Sequence, residues 1–302
     1  MAKKLGNTPS VLTGARQTMA SWAKVLESYA EVPEIYKDAL QASLGDCQTF
    51  PHVVLAPPPV GARHKTTEKL VYEANDTLYV LTHTGVEVVE QAFPLEKICD
   101  IEVGSILLYS WLSIRGMTKA GLFSSAIIEF NTSSSRHFAP FISKLRPQPS
   151  DGTSLQEERA AFDYLAAESF KFMNYGRSSL VAGEKVIDTL WQPEIRERMF
   201  PRLPLPFYRT ISTAHLSILT NKELILIRED ERSSRRKKGA RYGGIWQYIP
   251  LRSIVSVSSE QLTEDLLGLS VVLSSTGHVD RIFALASRPE VAQFQNAIEA
   301  LL

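Results

Sequence analysis

The chain has 302 residues, 44% of them hydrophobic and 22% charged, a balance expected of a soluble globular protein with room for two domains. Thirty-three basic and thirty-three acidic side chains cancel, which excludes a chain-wide electrostatic pull toward nucleic acid or anionic membrane. The two cysteines, Cys47 and Cys99, have no CxxC spacing and are expected to be buried free thiols of a reducing compartment.

The start, "MAKKLGNTPS", has no apolar core after its lysines and does not resemble a secretory signal. Residues 1–44 are expected to be a helical segment. Met19, Trp22, Leu26 and Tyr29 share a face, and Pro33 opens a second helix through about Leu40. The stripe suits a partner-binding helix or packing on its own barrel. Ala56–Arg63, "APPPVGAR", is a stiff loop.

"LYVLTHTGVEVVE", Leu78–Glu90, alternates aliphatics around His83-Thr84-Gly85 and predicts a β-hairpin. Strand candidates follow at Phe93–Val103, Leu107–Ile114 and Ser124–Phe130. The run Gly104–Ile114 is apolar but far shorter than the roughly 20 residues a bilayer requires. Two helices compete for the next place, a short one from Phe138 and a longer one capped by Ser154 and Glu157. Arg146–Ser154 reads as a linker.

The second half repeats this order. Phe200–Arg209 is rich in proline, as is the first loop, and serves as a connector or a polyproline ligand. "LSILTNKELILIR", Leu216–Arg228, matches "LYVLTHTGVEVVE" at a separation of 138 (216 − 78). "IPLRSIVSVSS", Ile249–Ser259, matches "FPLEKICDIEV", Phe93–Val103, at a separation of 156 (250 − 94). The difference, 156 − 138, reads as an 18-residue insertion in the second copy. Strands at Leu266–Leu273 and Val279–Leu285 lead into a helix capped by Ser287 and Glu290, with Val291, Phe294, Ile298 and Leu301 on one face.

The pattern "LTxxxLxLI…IPLxxIxxV", best met by "LSILTNKELILI…YIPLRSIVSV", resembles GRAM-like and bacterial pleckstrin-homology-like domains. The resemblance spans about two-thirds of the chain and implies an α+β protein with two antiparallel β-barrels in tandem, each closed by a C-terminal helix. The expected division is 1–44, 45–177 and 178–302. It also implies a lipid- or partner-binding scaffold and brings no catalytic residues.

The insertion carries the candidate site. Arg228–Tyr248 holds seven positive charges against three negative, a net of +4. Its candidate binding residues are Arg232, Arg235, Arg236, Lys237, Lys238, Arg241, Tyr242 and Trp246, cations beside amphipathic rings as a membrane interface favours. Anionic lipid, an acidic protein, or no ligand beyond solvent all suit such a run; nucleic acid ranks lower, because no second basic patch accompanies it. The six histidines show no metal-ligand spacing, and no nucleophile elbow or phosphate loop is present. No catalytic residue, metal or cofactor is expected. The expected place is the cytoplasm, with peripheral attachment to a membrane.

Overall fold

The structure is a computed structural model that describes residues 22–45, 49–58, 67–150, 154–199, 208–230, 243–274 and 277–302. An antiparallel five-stranded sheet comes first, formed in chain order by β1 (Lys24–Leu26), β2 (Val53–Ala56), β3 (Lys69–Ala74), β4 (Thr77–His83) and β5 (Val88–Pro94). The β3–β4 turn is Asn75-Asp76, both at positive φ (51° and 53°), a conformation that Asn and Asp tolerate and that suits the strand twist. Helix α1 (Glu34–Leu44) starts after Pro33 and buries Tyr36, Leu40 and Leu44, spaced by four so that they fall on one face. Gly45, at φ 54°, ends it.

Pro94 stops β5, one 3₁₀ turn follows, and the chain enters the meander β6 (Ile98–Ile106), β7 (Tyr109–Met117) and β8 (Phe123–Asn131). Helices α2 (Ala139–Leu145), α3 (Leu155–Ala160), α4 (Leu165–Glu168) and α5 (Phe170–Ser179) lead to β9 (Val186–Gln192). A small ribbon, β10 (Ile195–Arg198) and β11 (Tyr208–Ser212), precedes β12 (His215–Thr220), β13 (Glu223–Arg228) and β14 (Gly244–Pro250). Pro250 and a 3₁₀ turn then lead to β15 (Ile254–Gln261), β16 (Leu266–Leu273), β17 (His278–Ala284) and helix α6 (Arg288–Glu299).

The internal repeat is present, but one strand out of the expected alignment. β12–β13 corresponds to β3–β4, with Leu70 over Leu216, Asn75 over Asn221 and Leu78 over Leu224, a separation of 146 (216 − 70). A shared backbone bond fixes the match. Leu95 N–H donates to Asp76 O at 2.9 Å, and Leu251 N–H donates to Lys222 O at 3.1 Å. The extra length in the second copy is therefore ten residues (156 − 146), and it lies between β13 and β14. The sequence match at 138 arises because strand–turn–strand runs of alternating aliphatics resemble one another at any phase.

The two halves are not separate barrels. β14 of the second half pairs with β6 of the first, Tyr248 opposite Ile101 and Gly244 opposite Ser105. The result is one open seven-stranded sheet, in the order β8-β7-β6-β14-β13-β12-β9, beside open sheets of five, three and two strands. One apolar core spans both halves, joining Val71, Val80, Phe93, Ile101 and Ile114 to Ile218, Ile225, Ile227 and Phe172. In β13 the isoleucines enter this core while Leu224 and Leu226 enter a second one with Phe283, Phe294 and Ile298. A strand buried on both faces reads as a continuous apolar run, as "LILI" does. A third core lies between α1 and the outer face of the five-stranded sheet.

Further expectations are corrected, and one alternative is resolved. The segment 1–44 is not helical throughout: Leu26 lies in β1, paired to Val53, because Val25 and Leu26 find a strand partner in β2. Trp22 and Tyr29 are exposed, so the expected apolar stripe does not form; its member Met19 lies outside the described residues. The helix after β8 is the short α2, while the Ser154 helix belongs to a separate helical connection. Neither Ser154 nor Ser287 makes a side-chain cap.

Candidate functional site

The candidate site is the end of the seven-stranded sheet where β13 stops and β14 starts. Arg228 and Ile245 are register partners, so both roots of the basic segment leave adjacent strands at one sheet end. Of the expected site residues, Arg232, Arg235, Arg236, Lys237, Lys238, Arg241 and Tyr242 lie outside the described residues, as does Cys47. Trp246 is described, and it lies within β14. Its side chain faces the shared core, half-buried, with the Tyr175 ring edge-on at 4.7 Å. The reason is parity: Trp246 and Tyr248 share one face of β14, and that face is the core side. Tyr248 is buried as well.

The roots are held tightly. Gly243 sits at φ 89°, and a Cβ there would lie 1.9 Å from Ser105 O, so the backbones of the β14 root and the β6 end touch. Arg228 Nη2 donates to Glu102 at 3.1 Å, and Trp111 Nε1 donates to the same carboxylate at 3.0 Å. Glu229, buried, takes a bond from Lys171 Nζ at 2.9 Å, while its backbone N–H donates to Ala214 O. Glu102 and Glu229, beside the roots, are therefore each matched by a cation.

Around these roots stand exposed apolar side chains that the sequence pattern did not assign to a site. Leu107 and Leu108 form the two-residue turn between β6 and β7 and are 64% and 68% exposed. Leu107 has φ 56°, a left-handed conformation that Gly or Asn would adopt at less cost than a bulky side chain. Phe170, next to Lys171 at the start of α5, is 66% exposed. One sequence signal existed. "SILLYS" crosses a hairpin turn without glycine, asparagine or aspartate, whereas its apolar pattern predicts a strand that begins at Leu107.

On the sheet face away from the shared core, a polar network crosses the seam between the halves. Buried Asp100 accepts from Arg115 Nε at 2.8 Å, Arg115 Nη2 at 2.6 Å and Gln247 Nε2 at 2.7 Å. Gln247 Oε1 in turn accepts from Arg281 at 3.3 Å. Burial, with Arg228 close by, lowers the Arg281 pKa to about 10. His215 is buried edge-on to Phe283, and desolvation lowers its pKa to about 4. Its Nδ1 donates to Thr213 O at 2.9 Å.

Cys99 lines a cleft of about 330 Å³ with Lys97, Met117, Arg252 and Ser274, but its thiol is buried and donates to Ser274 O at 3.3 Å. Among the described residues no cluster of His, Cys, Asp and Glu could hold a metal ion, and no helix is long and apolar enough to cross a membrane. No protein-family model and no curated protein matches the chain.

Proposed function

We propose that this chain is a non-catalytic docking protein that attaches to an anionic surface through the basic segment Arg228–Tyr248. That is the kind of role the GRAM-like and pleckstrin-homology-like resemblance implies. The observation that carries the reading is that both roots of a segment with net charge +4 leave one end of the seven-stranded sheet, where Glu102 and Glu229 are already paired. At about 1 kcal/mol per basic residue near an anionic leaflet, that charge supplies roughly 4 kcal/mol. This corresponds to about millimolar affinity, so attachment by charge alone is transient.

The test is co-sedimentation with phosphatidylserine-containing vesicles at low salt. Replacing Arg235, Arg236, Lys237 and Lys238 by glutamate is expected to abolish binding. A wild-type chain that ignores acidic vesicles at low salt overturns the lipid arm of the proposal.

A second reading, a protein-interaction scaffold without lipid binding, draws on one feature. β15 is an outermost strand, and Ser258–Gln261 are all exposed, leaving an edge to which another strand could add. Partner capture that resists salt favours this scaffold; capture that weakens steeply with salt favours the basic segment.

A further inference from the structure

We infer that Leu107, Leu108 and Phe170 form an apolar anchor that enters the headgroup–acyl boundary of an anionic bilayer. The inference rests on the docking reading above and names the contact that charge alone leaves missing.

Three observations carry it. First, the turn holds two adjacent leucines in solvent at a backbone angle unfavourable to leucine, φ 56° at Leu107. Strained backbone that exposes apolar side chains persists where the surrounding structure enforces it, and such outliers cluster at functional sites. Here the structure does enforce it. Leu108 O accepts from Thr132 N–H at 3.0 Å, Ser110 Oγ lies 2.8 Å from Thr132 Oγ1, and the rings of Tyr109 and Trp111, the first and third residues of β7, pack with centroids 5.4 Å apart. The leucines are presented outward.

Second, the anchor and the two roots of the basic segment share one end of the sheet. Ser105, two residues before the turn, is the register partner of Gly244 and touches Gly243, the root of the basic segment. Phe170 reaches the other root through its neighbour Lys171, which binds Glu229. Third, residues 231–242 contain six cations and one carboxylate by sequence, a composition that complements lipid phosphate.

A bilayer fits better than a protein groove. The three side chains come from a hairpin tip and a helix start, and they stand outward from the sheet end. Amphipathic membrane attachment combines apolar burial with cations in this way, and either contact alone is weak and reversible.

The test uses the full chain with vesicles of phosphatidylcholine containing 30% phosphatidylserine, and with pure phosphatidylcholine vesicles, at low and high salt. Leu107→Asn with Leu108→Ser is expected to lower partition onto the anionic vesicles about 30-fold, equivalent to about 2 kcal/mol. Its thermal midpoint is expected to stay level or rise, since Asn accepts positive φ. Phe170→Ser should give a smaller loss. Val255→Asn, a control at an exposed apolar site near the far end of β14, should give none.

If the wild type binds and the leucine variant binds equally well, the anchor is overturned while charge-driven docking stands. If the wild type binds neither vesicle yet is captured by polyglutamate beads, the bilayer is overturned in favour of an acidic protein. If Leu108→Ser alone, which leaves the strained position untouched, loses no binding, the anchor is overturned regardless of how the double variant folds.

Discussion

Arg146, the residue that ends α2 in the first half, donates through Nε to Glu223 Oε1 at 3.0 Å, at the first residue of β13 in the second half. Its guanidinium lies 3.9 Å from the centre of the Tyr248 ring, and Nη2 also donates to Ser179 O at 2.6 Å. A second buried carboxylate, Glu184, stands 3.7 Å from the same guanidinium. One cation thus serves two carboxylates away from water. Arg146→Ala is expected to cost about 3–5 kcal/mol in urea unfolding, because it leaves buried charge uncompensated. A loss below about 1 kcal/mol would contradict this account.

The same cluster gives a pH dependence. Burial first, opposed by Arg146 and aided by Glu184, raises the Glu223 pKa from 4.5 to about 7. The folded state therefore holds this proton more tightly, so its contribution is present below pH 4.5 and is lost as pH rises through 7. His215 acts in the opposite direction. With its pKa lowered from 6.5 to about 4, its contribution is present above pH 6.5 and is lost as pH falls through 4. In the wild type the two slopes largely cancel between pH 4.5 and 6.5. Glu223→Gln should unmask stability that rises with pH across this range, and His215→Phe stability that falls. Chemical denaturation at half-unit pH steps reads both; parallel profiles for the two variants would contradict the assignment.

Asp100 bridges the seam between the halves, with Arg115 and Gln247 both donating to it. Asp100→Ala is expected to destabilise by about 3–5 kcal/mol, leaving Arg115 and Gln247 without their acceptor. Because the residues form one network, Asp100→Ala with Arg115→Ala should cost less than the sum of the single losses. Additive losses would show that the network is not coupled.

Gly243 is required twice over, by its φ of 89° and by the contact with Ser105 O. Gly243→Ala is expected to destabilise by about 1–3 kcal/mol and to loosen the β6–β14 pairing. Amide exchange at Gly244 and Trp246 should rise selectively. Unchanged protection there would rule out this role.

A fragment of residues 178–302 is expected not to fold alone. Leu216, Ile218, Ile225 and Ile227 lie in the core built jointly with the first half, and separation would expose them together with the β14 edge. Aggregation or absence of cooperative melting is the expected result; a soluble, sharply melting monomer would overturn it.

Much of the local structure was legible. Leu266–Leu273 is β16 as read, and the strand candidates near Ser124–Phe130 and Val279–Leu285 fall within a residue of β8 and β17. Val291, Phe294 and Ile298 are buried on one helix face, though Leu301 is not. Alternation and turn residues encode such elements because side-chain direction follows from backbone period alone. The site was legible only as composition: the charge of the basic segment is in the sequence, whereas the inward turn of Trp246 and the outward turn of Leu107 are not.

The sequence by itself determined that this chain repeats a strand order with a proline at matching strand ends, and that one copy carries a cationic excursion. The phase of the repeat, the partner of β6 and the neighbours of the excursion's two roots were decided only by the tertiary structure. A strand edge can pair with any edge of suitable direction and twist, and the choice is set by burial on both faces at once, as the opposed leucines and isoleucines of β13 show.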